Sequence, residues 1–235
     1  MNDLTAAAAE AFRLVITLDP DLGEIVALSL RISLTAVLVA AAIALPLGAL
    51  LGATRFKGRR ALIVLFNALM GLPPVVVGLL VYLMLSRSGP LGVFGLLYTP
   101  TAMIIAQIVL VTPIITAITR QTVDDLRDEY HEQLRAFGLN TWQTLPTLLW
   151  EARPSLLTAL LAGFGRAIAE VGAVLIVGGN IDHLTRVMTT AIALETSKGN
   201  LALALGLGLV LMLIAVLVNA AASIASPARS TGAVN

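Results

Sequence analysis

Cysteine is absent from the sequence, which excludes disulfides, thiolate nucleophiles and Cys-based metal sites. Charge is scarce as well: Asp, Glu, Lys and Arg make up 12% of the 235 residues, whereas soluble domains carry roughly a quarter. A chain so poor in charge suits lipid rather than water. The only lysines, Lys57 and Lys198, follow Phe56 and Ser197, so there is no Gly-Lys-Ser/Thr phosphate loop and no such engine for ATP hydrolysis. Formal net charge is +1 without a concentrated basic face, which excludes a nucleic-acid partner. The start, Met1-Asn2-Asp3, lacks a basic run and predicts no cleaved signal peptide. Aromatics are only 5%, so the apolar mass is Leu, Ala, Val and Ile, and 19 glycines supply surfaces on which helices approach closely.

What is present in quantity is hydrophobic sequence, at 58% of residues with a mean hydropathy of +0.93. A hydrocarbon core of about 30 Å takes about 20 mostly apolar residues as helix. Five stretches meet that need: 25–53, 61–85, 99–118, 155–177 and 201–224. They predict one all-α membrane domain over 25–225, with an N-terminal segment 1–24 before it and a tail 226–235 after it. Residues 4–18 are Ala-rich but hold Glu10 and Arg13 and stop at Asp19-Pro20, which suits an interfacial helix. With the N-terminus outside, the inner side receives Arg55, Lys57, Arg59, Arg60, Arg120, Arg127, Arg135, Arg153 and Arg229. The outer side receives Arg13, Arg31, Arg87, Arg186 and Lys198. That asymmetry predicts an N-out, C-in topology. His131 and His183 then fall on opposite sides and cannot share a metal.

Helix breakers and polar groups inside the spans mark candidate positions for function. Pro73-Pro74 interrupts the second span, and Pro113 sits in the third; a freed carbonyl in lipid needs another partner, so the double proline predicts a shaped wall beside a cavity. Arg166 and Glu170 lie near the centre of the fourth span at i, i+4 spacing, which predicts a pair on one helix face. A structural ion pair and a pathway element are both open readings of that spacing. Just beyond, Asn180, Thr185, Arg186, Thr189 and Thr190 form a donor-rich segment where a re-entrant or gating helix would meet an incoming anion.

The longest hydrophilic stretch, 119–154, separates the third and fourth spans on the inner side. Val123, Leu126, Tyr130, Leu134 and Phe137 recur at helical spacing opposite Asp124, Asp125, Asp128, Glu129 and Glu132. Thr122 with Asp125 predicts a capping box at the start of this amphipathic helix, and Gly138 its left-handed stop. A second, short helix follows, capped by Asn140 or Thr141, with Trp142, Leu145, Leu148 and Leu149 on its apolar side and Pro146 disturbing its middle. Such a helical hairpin can seat in a groove on a soluble protein and pass its motion to the spans.

Glu132-Gln133-Leu134, then Gly138, then Leu148-Leu149-Trp150-Glu151 resembles the cytoplasmic signature of permeases in ATP-binding-cassette importers that use a separate binding protein. That signature runs Glu-Ala-Ala, three residues, Gly, nine residues, Ile-x-Leu-Pro; here Glu and Gly keep their spacing, Leu148 replaces Ile, and the final Leu-Pro is missing, with Pro154 close behind. The resemblance assigns Glu132, Ala136, Gly138 and Leu148 to the ATPase contact. Glu170-Val171-Gly172-Ala173, Asn180-Ile181, Thr185-Arg186, Ala191-Ile192 and the run from Gly71-Leu72-Pro73-Pro74 to Gly78 resemble the molybdate and tungstate members, particularly the tungstate permeases. It implies a type I importer fold with about five transmembrane helices, two copies of the permease and two of an ATPase that carries ATP and Mg. It further implies an extracytoplasmic substrate-binding protein, a prokaryotic plasma membrane, and Arg166, Glu170, Asn180, Thr185 and Arg186 along the path. A secondary transporter would suit broken helices with buried charges but would not require the Glu132–Gly138 register. A membrane-embedded enzyme lacks a catalytic set, since the central charges have each other as partners. Molybdate or sulfate are the alternative cargoes.

Overall fold

The computed structural model describes residues 2–17 and 19–225; the expected tail 226–235, with Arg229, lies outside the described residues, as do the side chains of Arg135 and Trp142. Every regular element among the described residues is helical. Helix α1, Asn2–Ile16, is followed by α2, Pro20–Ala53. The Asp19-Pro20 pair that stops α1 also starts α2: the Asp19 carboxylate accepts from the amides of Asp21 and Leu22, and Pro20 fills the first helical position, where its missing N–H costs nothing. The first span therefore begins five residues before the predicted position 25, and α2 is about 51 Å long.

The second span is two helices, α3 (Arg59–Met70) and α4 (Pro74–Leu85), which meet at 101°. Helix α5, Pro100–Glu129, is capped by the Thr99 hydroxyl and continues through Pro113. After the short α6, His131–Ala136, comes α7, Thr141–Ile168, bent by 58° from α8, Gly172–Gly178. Helices α9, Met188–Lys198, and α10, Leu201–Ala225, are the last elements among the described residues. Among the described residues three helices, α2, α5 and α10, are each long and apolar enough to cross a membrane, and the number is five when each bent pair is one span, at the five places read from hydropathy. Helix α1 packs on α10, with Ala11 fully buried beside Gly206.

The bundle is organised around α2 and α5. Small residues recur on α2 at every fourth position, Ala36, Ala40, Ala44, Gly48 and Gly52, and all are buried. This seam lets backbones approach closely where lipid provides no hydrophobic drive for helix association. A Cβ at Gly48 would lie 2.6 Å from the Thr119 Cβ and 2.7 Å from the Thr116 carbonyl oxygen; at Gly52 it would lie 2.8 Å from the Val123 Cβ. Gly48→Val is accordingly expected to destabilise the permease fold by about 1–3 kcal/mol through overpacking. A lowered midpoint in a detergent melting curve, with no lowering for the unobstructed Gly23→Ala, checks this.

Two of the sequence expectations need correction. Thr122 does not begin a new helix, because α5 runs unbroken to Glu129 and amides in a helix interior already bond to preceding carbonyls. Asp125 accepts instead from the Gln121 side chain at 2.7 Å. The helix after Gly138 is not short either: it is the N-terminal part of α7, and Pro146 and Pro154 lie within that helix.

Candidate translocation site

The distal halves of the two broken spans meet at their breaks. Pro73 is extended, with φ −62° and ψ 125°, and Pro74 opens α4. Across from it, α7 stops at Ile168 and α8 starts at Gly172. The contact requires glycine on both sides: a Cβ at Gly78 would sit 2.7 Å from the Ala173 Cα, and one at Gly172 would sit 2.7 Å from the Val75 Cγ2. Interrupted helices packed at a common level are the arrangement on which many transporters build their binding sites.

Glu170 holds this junction together. The sequence spacing placed it one helical turn after Arg166, yet α7 ends between them, so the pair spans the break rather than decorating a helix face. Its Oε2 pairs with the Arg166 Nη1 at 2.5 Å, its Oε1 accepts from the Ala173 amide at 3.0 Å, and its backbone carbonyl accepts from the Thr189 hydroxyl at 2.8 Å. The Glu170 side chain is 3% exposed and that of Arg166 34% exposed, so the carboxylate is locked inside while the cation reaches outward. Gln107 of α5, buried, donates its Nε2 to the Ala167 carbonyl at 3.0 Å, satisfying backbone at the break. Sequence reasoning passed over Gln107, although a lone amide inside an apolar span is the kind of polar intrusion that marks such places.

In the turn between α6 and α7, Gly138 adopts φ +66° and the Leu139 amide bonds back to the Leu134 carbonyl, closing the left-handed stop that was predicted. Asn140 then caps α7 through a reciprocal box with Gln143, at 3.0 and 2.9 Å. Tyr130, Leu134, Phe137, Leu139 and Leu148 line an apolar groove of 350 Å³ between α6 and α7. Phe137 and Trp150 are largely exposed, and the Arg153 guanidinium stacks 4.4 Å above the Trp150 ring. Glu132 and Ala136 are exposed on α6. Leu148 is different: it is buried against Ala49, Ala53 and Val123, so it ties the loop to α2 and α5. Asp124, another residue that sequence reasoning left in a solvated face, draws Arg59 to 2.9 Å, Arg55 to 3.4 Å and Arg120 to 3.6 Å, fastening the α2–α3 turn to the base of α5.

Residues 44–231 match the family model of the binding-protein-dependent transport system inner membrane component. The chain belongs to this permease family. The probable anion ABC transporter permease protein of Haloferax volcanii is 43% identical over 185 residues, covering 77% of this chain and 80% of that one. The tungstate uptake system permease protein of Peptoclostridium acidaminophilum is 42% identical over 196 residues, covering 82% and 86%. The molybdenum transport system permease protein of Azotobacter vinelandii is 27% identical over 168 residues, covering 68% and 74%. The permease is thus a multi-pass protein of a prokaryotic plasma membrane with the type I importer fold.

Beyond α8 the permease chain doubles back, so that α9 starts beside Glu170. Its donors, however, are used internally. The Thr185 hydroxyl, fully buried, donates to the Gly178 carbonyl and accepts from the Ile181 amide. The Thr190 hydroxyl donates to the Asn180 Oδ1 at 2.8 Å, with Asn180 at φ +52°. Ser29 of α2 accepts from the Met188 amide at 2.8 Å. These residues hold the re-entrant segment in shape, and the Arg186 guanidinium pairs with Asp182 at 2.6 Å.

The tip of this segment is fastened to α2 by His183, whose Nδ1 lies 2.9 Å from the Glu24 carboxylate. The Glu24 hydrogen bond, then the charges of Asp182 and Glu24, raise the His183 pKa above its ordinary value. A raised pKa in the folded state gives stability that is complete below the unfolded value, about 6.5, and lost as pH climbs through the folded one. The melting advantage of the permease over its His183→Gln variant should therefore be largest in mild acid and vanish in base. A constant advantage across that range would show that this contact does not titrate.

Proposed function

We propose that this permease, as a homodimer, forms the membrane path of an ATP-driven importer for a tetrahedral oxyanion, with tungstate as the first cargo. Two copies related by an axis normal to the membrane would close a conduit that five spans can only half line. The orientation is N-out and C-in, with the Arg55–Arg60 run facing the cytoplasm. Two copies of a separate ATPase, carrying ATP and Mg, dock on α6 and the groove beside Phe137, and an extracytoplasmic binding protein delivers the anion from the other side. Exposed aromatic and apolar side chains on a helix outside the lipid call for a partner, and Gly138 fixes the angle at which they are presented.

Along the path, the junction of the broken spans offers Arg166 as a partly exposed cation, already neutralised by Glu170. A passing dianion would meet an attraction tempered by that carboxylate, which favours passage over tight capture. The cargo rests on one observation, the gap between 42% identity to the tungstate relative and 27% to the molybdenum relative. Cellular tungsten measured by elemental mass spectrometry tests it. A strain lacking this gene should lose tungsten accumulation and regain it on complementation, with excess sulfate having no effect. Loss of molybdenum with tungsten retained would transfer the cargo to molybdate.

A further inference from the structure

The connection between α4 and α5 contains a cavity that none of the roles above uses. It has a volume of 630 Å³ and lies between the end of α4 and residues 92–98. Tyr82, Ser86, Arg87, Ser88 and Tyr98 supply its polar lining, and no acidic side chain is among the described residues around it. Arg87 is exposed and has no carboxylate or hydrogen-bond partner among the described residues. Arg55, Arg59, Arg120, Arg166 and Arg186 each pair with a carboxylate, whereas Arg87, like Arg31, Arg60 and Arg127, does not among the described residues; of these four, Arg87 is the one that lines this cavity.

The cavity wall is also built at a conformational cost. Tyr98 has φ +62°, a left-handed conformation that a bulky residue rarely adopts. Its amide is tied to the Val177 carbonyl at 2.9 Å, and its ring lies where a Cβ on Gly179 would come within 2.9 Å of the Cδ1. The Tyr82 ring meets it edge-on at 6.4 Å between centroids. Strain kept in place by surrounding contacts is a feature that clusters at ligand sites. Near the same end of the bundle, a smaller cavity of 90 Å³ is lined by Asp21, Glu24 and Asp182 together with His183 and Arg186. There Asp182 already neutralises Arg186 and the carboxylates outnumber the basic groups, while the acid-free cavity with Arg87 is positive, so the local field favours a dianion in the second.

We propose that this cavity is an outer receiving site for a tetrahedral oxyanion group, with the Arg87 guanidinium as its charge partner and the hydroxyls of Tyr82 and Tyr98 as neutral donors. The Ser86 hydroxyl is committed to the Leu83 carbonyl at 3.0 Å and accepts from the Ser88 hydroxyl at 3.4 Å, so neither serine has a proton to spare. One cation with neutral donors holds a dianion weakly, as a waiting position on a path must. The assignment rests on the reading of the cargo as a tetrahedral oxyanion. The same chemistry is presented by the phosphate of a lipid headgroup, so the two sources have to be separated.

The purified permease in nanodiscs of neutral phosphatidylcholine is titrated calorimetrically with sodium tungstate. The wild type should bind it, Arg87→Gln should weaken binding at least tenfold, and Arg87→Lys should recover part of the loss. Tyr98→Phe, which keeps the ring and removes the hydroxyl, should weaken it severalfold. Arg87 is exposed, so its replacement does not endanger the fold. In a second arm, discs containing phosphatidylglycerol are examined by native mass spectrometry for lipid retained by wild type and by Arg87→Gln. Retention that depends on Arg87, without tungstate binding, would assign the site to a headgroup phosphate. Arg87-dependent binding of sulfate or molybdate without tungstate would uphold the site and overturn the cargo. If Arg87→Gln alters neither anion binding nor lipid retention, the proposal is overturned.

Discussion

Gly138→Val is expected to uncouple the permease from its ATPase while the spans stay folded. The reason is conformational rather than steric: Gly138 has φ +66°, and a Cβ built there meets nothing within 4 Å. A β-branched residue in the left-handed region is strained by about 1–3 kcal/mol, which lowers the population of the native turn roughly fivefold to 150-fold. The strain falls on the turn between α6 and α7, and Gly138 takes no part in the close glycine contacts at Gly48, Gly52, Gly78 and Gly172 that set the bundle. Co-purification with the ATPase and substrate-stimulated hydrolysis should fall together, and detergent melting should change little. Gly138→Asn offers a control, because Asn tolerates the left-handed region. It should retain most of the coupling, and equal damage from Asn and Val would point away from the backbone argument.

The second large effect is expected at Arg166 and Glu170, and it should be asymmetric. Arg166→Met leaves a carboxylate stranded at 3% exposure, with only the Ala173 amide as a side-chain partner, and breaking a buried pair in this way costs about 3–5 kcal/mol. Glu170→Gln leaves a guanidinium that is 34% exposed and free to turn outward, so the loss should approach that of a single charged hydrogen bond, about 1.5–3 kcal/mol. The double variant should be milder than the sum of the two by at least ~1 kcal/mol. Folded yield after detergent extraction, measured for all four proteins, reads out the cycle. Strict additivity, or the reverse order of severity, would mean that the two side chains do not act as a unit.

The degree to which this architecture was legible in the sequence varied with the range of the interactions concerned. The five spans follow from hydropathy, and Pro73-Pro74 marks its break because proline lacks a donor wherever it stands. Gly138 was legible for a local reason, since a left-handed stop depends on neighbouring residues, and Asn140 was one of two caps open in the sequence; its reciprocal box with Gln143 was not foreseen, while the box expected at Thr122 is absent. The break after Ile168 was not. No proline marks it, and what holds it open comes from distant segments, Gln107 on α5, Thr189 on α9 and the fit of Gly172 on Val75. The threonines of the re-entrant segment read as free donors in sequence, but their acceptors are supplied by turns that exist only once the chain has doubled back. Asp124 was placed on a solvated face because its arginines lie up to 69 residues away.

Transport by the reconstituted assembly tests the central claim most directly. The permease, its ATPase and the binding protein are placed in proteoliposomes, and tungstate accumulation is followed with and without ATP, under imposed ion gradients and after their collapse. Accumulation should require ATP and the binding protein and survive the collapse of every gradient. Accumulation driven by a gradient without ATP would contradict the account and return the permease to the secondary transporters.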